Sequence, residues 1–132
     1  MPEIPRKDIE QLLVEDDTQG ILTALYHEIT VTADGLWGSG TPPVPRVWER
    51  VRESEWYRIS FVPLNLKPVS DFYGVAETAR EKLLSGGSRN QIQDYLREHN
   101  FAQLLLSLRD LFRKNLSLEG AGQGQAAGRQ SN

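Results

Sequence analysis

No cysteine occurs in this 132-residue chain, and only two histidines do. The first absence removes disulfides, thiolate metal sites and a cysteine nucleophile together. The second leaves little for a transition metal, because His27 and His99 stand far apart and outside any HExxH or HxxxH spacing. Long apolar runs are missing too. The best local run, Leu104–Leu106, spans three residues, whereas a membrane-spanning helix needs roughly 18 or more. The start, MPEIPRKDIEQLLVEDD, has no basic opening followed by an apolar stretch, so it reads as neither a secretory signal nor a transit peptide. These absences together give the expectation of a soluble, cytoplasmic protein.

Motifs with known chemistry are equally scarce. There is no G-x-S-x-G elbow, no G-x-x-x-x-G-K-[ST] and no G-x-G-x-x-G. The acidic run Glu15–Asp17 lacks the spacing of a calcium loop. Expected catalytic residues, metal ligands and cofactors are therefore none. An enzyme reading would require a pocket that converges His27, Asp34 and Tyr26 or Tyr57.

What is present is an ordinary globular composition, 39% apolar and 25% charged, with a net charge of −3. That balance argues against a protein built to coat nucleic acid or anionic lipid. The acidity is concentrated. Residues 1–34 carry Arg6 and Lys7 against eight acids, a balance of −6. Such a run serves as a solvated helix face or as a steering surface for a basic partner.

The pattern predicts one α+β domain over residues 1–118 and a disordered Gly/Gln/Ala-rich tail over 119–132. Ile9, Leu12 and Leu13 have helical spacing. Residues 21–33 fit both periods, since Ile21, Leu22, Leu25 and Ile29 suit a helix. The alternation of Leu25, His27, Ile29, Val31 and Ala33, with the β-branched run Ile29–Thr32, favours a strand. Val47–Val51 fits either a short helix or a charged edge strand. Tyr57, Ile59 and Phe61 alternate with polar neighbours up to Pro63 and predict a second strand. Three amphipathic helices follow. The first is capped by Ser70 or Asp71 and stopped by the glycines of SGGS, the second opens on a Ser88–Gln91 capping box, and the third runs over Phe101–Lys114. The expected architecture is a small antiparallel sheet of two to four strands, packed by the N-terminal helix and these three.

Residues 35–48, GLWGSGTPPVPRVW, hold two of the three tryptophans among three glycines and three prolines. Pro42, Pro43 and Pro45 stiffen the second half, whereas Gly35, Gly38 and Gly40 loosen the first. Tryptophan and arginine are the side chains that most often anchor interfaces. The function expected is a non-catalytic protein-binding adaptor, assembly factor or regulator. Its contact residues would be Trp37, Pro42, Pro43, Pro45, Arg46 and Trp48, with the acidic first quarter steering encounter. Pairing of copies through a sheet edge is a further expected mode. A nucleic-acid reading would use Arg46, Arg50, Arg52 and Arg58 with Trp48 and Trp56, but Glu49, Glu53 and Glu55 cancel most of that field.

Overall fold

A computed structural model describes residues 7–38 and 40–116, and the tail expected over 119–132 lies outside them. Every regular element among the described residues is a helix. In order they are α1 (Ile9–Val14), α2 (Thr18–Trp37), α3 (Arg46–Arg52), α4 (Glu55–Leu64), α5 (Lys67–Leu84), α6 (Arg89–Glu98) and α7 (Phe101–Asn115). The expected α+β architecture is overturned. Residues 25–33 belong to α2 and residues 57–62 to α4, and no strand occurs among the described residues. The sheet edge proposed for pairing copies is absent with it.

The reason lies in which residues gain from burial. Along α2 the buried positions are Ile21, Leu22, Leu25, Glu28, Ile29, Thr32, Ala33 and Leu36, spaced by three and four. The strand alternation would instead have buried His27 and Val31, which are exposed. Helix propensity disfavours the run Ile29–Thr32 by a few tenths of a kcal/mol per residue. Burying each aliphatic side chain is worth about 1.5–3 kcal/mol, so the stripe wins. In α4 the inward face is Trp56, Tyr57, Ser60, Phe61 and Leu64, again at helical spacing, while Ile59 and Val62 point outward. Ser54 caps this helix by accepting from the Tyr57 N–H at 3.1 Å. Pro63 falls in its last turn, where the missing donor removes a single bond.

The joints are built from a few left-handed residues. Asp16 (φ 55°), Asn65 (φ 57°) and Gly86 (φ 97°) each end a helix. After each, the next amide donates to the carbonyl five residues back: Asp17 to Leu12, Leu66 to Phe61, and Gly87 to Lys82. Asn100 (φ 56°), with His99 before it, makes the two-residue turn between α6 and α7. The Ser88–Gln91 capping box forms as its sequence predicts. The start expected at Ser70 or Asp71 moves one turn earlier, to Lys67, with Pro68 in the first turn.

α5, α6 and α7 pack on one another, and α2 lies across them in the place the sheet was expected to fill. Two edge-on aromatic pairs set the antiparallel register of α2 and α7: Tyr26 with Phe112 and Trp37 with Phe101, each 5.3 Å between centroids. α1 and α3 cover another side of α2, and α4 packs against α3.

Gly35 lets the proline segment close onto α2, because a Cβ there would lie 2.9 Å from the Pro42 Cα. Gly74, in the middle of α5, has nothing within 4 Å of the same point. Both changes to alanine gain helix propensity, yet opposite outcomes are expected in urea denaturation. Gly74→Ala should stabilise by about 0.5–1 kcal/mol, and Gly35→Ala should destabilise by about 1–3 kcal/mol. Equal shifts of the same sign would show that Pro42 does not press on α2.

Candidate functional site

α3 begins at a proline, and Pro45 supplies no side-chain cap. Its first turn therefore leaves the Val47 and Trp48 N–H groups with no local acceptor. The acceptor comes from α2. Glu28, 9% exposed, takes the Val47 N–H at 2.9 Å and the Trp48 N–H at 3.0 Å. Its carboxylate also accepts the Tyr73 hydroxyl of α5 at 2.7 Å. One carboxylate thus joins three helices, and its charge faces the positive end of the α3 dipole. Trp48 stacks flat on Tyr73, with centroids 4.8 Å apart and planes 1° from parallel. One turn on from Glu28, the Thr32 hydroxyl is buried without a partner among the described residues.

The chain between α2 and α3 is held by its carbonyls. Arg89 of α6 donates to Gly35 O and Leu36 O, both at 3.1 Å, and also to Gly40 O. Arg80 of α5 donates to Pro42 O at 3.1 Å, and Gln93 to Trp37 O at 3.3 Å. A guanidinium over the last carbonyls of α2 also suits the negative end of that helix. The glycine half, expected to be loose, is tied down through Gly40.

Between α1, α2 and the start of α3 this arrangement leaves a groove of about 400 Å³. Ile9, Ala24, Val31, Pro43 and Val47 form its apolar walls, and Glu28 lies at its base. Lys7, Asp8, His27 and Arg46 stand at the rim. Lys7 pairs with Glu15, and Asp8 caps α1 by accepting from the Gln11 N–H. Arg46 makes no ion pair among the described residues.

The residues proposed for contact are divided by this geometry. Pro43 and Arg46 are exposed and line the groove. Pro42 and Pro45 are buried. Trp48, 4% exposed, belongs to the core and offers no indole to a partner. Trp37 is 39% exposed but stands on the α7 side of α2 against Phe101, away from the groove. Sequence reasoning missed Glu28 and Val31. The signal for Glu28 was an acid inside an otherwise apolar helical stripe, read there as an outward strand position.

The features that the other readings needed are not assembled. The groove holds His27 without Asp34, Tyr26 or Tyr57. No cluster of metal-binding side chains occurs among the described residues. Arg50 pairs with Glu10 and Glu53, Arg52 with Glu77 and Arg58 with Glu55. Trp48 and Trp56 are buried, so neither can stack a base. No described helix is long and apolar enough to cross a membrane. Compared with known protein families, curated proteins and solved structures, the chain matches none.

Burial, with the Glu28 carboxylate beside it, pushes the Tyr73 phenol well above the ordinary tyrosine range. Burial also raises Tyr57. The folded state therefore holds these protons more tightly than the unfolded chain. Their contribution to stability is complete below the unfolded pKa of about 10 and is lost progressively as pH rises above it. The urea midpoint is expected to fall between about pH 9 and pH 11.5. Tyr73→Phe should flatten that fall while costing about 1–3 kcal/mol at neutral pH, where Glu28 loses a donor. A wild-type midpoint that stays level across this range would contradict the assignment.

Proposed function

We propose that this chain is a non-catalytic protein-binding module, an adaptor, assembly factor or regulator, that seats a partner in the groove between α1, α2 and α3. The observation that carries the reading is the character of this groove. Exposed apolar groups, Val31 (39% exposed) and Pro43, adjoin an exposed guanidinium without an ion-pair partner among the described residues, all on a rigid support. Apolar anchors beside an arginine are the make-up of a contact centre. The support is rigid because Glu28, Arg80 and Arg89 fasten the proline segment from three other helices. A partner then loses little to ordering of this surface. Trp37 gives a second apolar contact to any partner large enough to cross α2.

The test is site-specific photo-crosslinking in a lysate of the native organism. A crosslinker at position 31 should capture a protein that a crosslinker at position 98, on the far surface of α6, does not. Val31→Arg, which buries an unpaired charge in the contact, should lower that protein's affinity about ten-fold with an unchanged melting temperature. Equal capture at the two positions, or full affinity in Val31→Arg, would reject the groove as the docking surface.

A further inference from the structure

We infer that the groove selects an acidic peptide segment: a large apolar side chain of the partner seats among Ile9, Val31 and Val47, and a neighbouring carboxylate pairs with Arg46. The inference rests on the docking reading above and deepens it. Its basis is the state of the charged groups in the groove. Both carboxylates are committed to internal donors, Asp8 to the Gln11 amide and Glu28 to two amides and the Tyr73 hydroxyl. Lys7 is paired with Glu15. Arg46 and His27 are exposed, and among the described residues neither has a hydrogen-bonding partner. The first quarter of the chain is strongly acidic, yet in this groove Arg46 and His27 have no partner among the described residues, while the buried Glu28 is engaged by three donors.

A partner carboxylate meets Arg46 in two-pronged geometry. A partner lysine or arginine would meet like charge at Arg46 and find the buried Glu28 already occupied. The groove is open along its rim, with Lys7, His27, Pro43 and Arg46 all exposed. A peptide needs only one face covered, which suits this shape.

The experiment is a selection of random seven-residue peptides displayed on phage against the immobilised full chain. Recovered peptides are then synthesised with a fluorescein label and titrated by anisotropy against wild type, Arg46→Glu and Val31→Arg. All three proteins are first checked for equal melting temperatures. The inference expects recovered sequences enriched in Asp or Glu beside Leu, Ile, Phe or Trp. Binding should weaken about ten-fold or more in Arg46→Glu and also in Val31→Arg, and it should weaken as salt rises. Peptides that depend on Val31 but are neutral or basic, or indifferent to Arg46→Glu, would overturn this inference and leave the docking reading standing. Peptides indifferent to Val31→Arg, or no recovered peptides at all, would overturn both.

Discussion

A buried carboxylate is costly unless donors surround it, and here the donors it gathers belong to three different helices. Glu28 takes two amides from the uncapped start of α3 and a hydroxyl from α5. Without it, α3 would begin with orphaned N–H groups beneath a proline that cannot cap them. Without α3 in that place, Trp48 would lose Tyr73, and the proline segment would lose one of its two ends. The other end is held by Arg89 and Arg80 through backbone carbonyls. The groove is the space left over when α1, α2 and α3 are held in this relation, so its shape depends on the charge at its base.

The acidity of residues 1–34 takes on a different meaning in this light. Asp8, Asp17 and Glu28 accept from the first turns of α1, α2 and α3 respectively. Glu10 and Glu15 pair with Arg50 and Lys7. Asp16 occupies the left-handed joint between α1 and α2. Of the eight acids in this run, three cap helices, one occupies a joint and two form ion pairs.

The parts legible in the sequence were those that depend on neighbours along the chain. Ser88 and Gln91, three residues apart, announced their own capping box, and the glycines after Leu84 announced a stop. Phe101, Leu108, Leu111 and Phe112 share one face of α7 and could be read from spacing alone. The misread parts depend on partners distant in sequence. Leu25–Ala33 satisfies two periods, and the choice falls on whether Glu28 may face inward. That is decided by amides 19 and 20 residues later and a phenol 45 residues later. Trp48 stands where the proline loop meets a stretch that fits either a short helix or an edge strand, so its burial cannot be read from sequence. It is the third residue of α3, with its ring placed on Tyr73 by a carboxylate that local pattern cannot anticipate. Pro43 and Arg46 read as surface residues from the sequence, but Val31, across the groove from them, falls in the strand alternation with Leu25 and Ile29.

Native-state hydrogen exchange at the Val47 and Trp48 amides tests the central claim most directly, because these are the groups the carboxylate is said to hold. In the intact chain both should exchange only through opening reactions close in free energy to global unfolding, unlike ordinary first-turn amides. In Glu28→Gln, whose side-chain amide can accept but also turns a donor toward them, their protection should drop by at least about ten-fold while that of the α7 core amides falls less. Fast exchange at both positions in the wild-type chain, or protection indifferent to Glu28→Gln, would contradict the account.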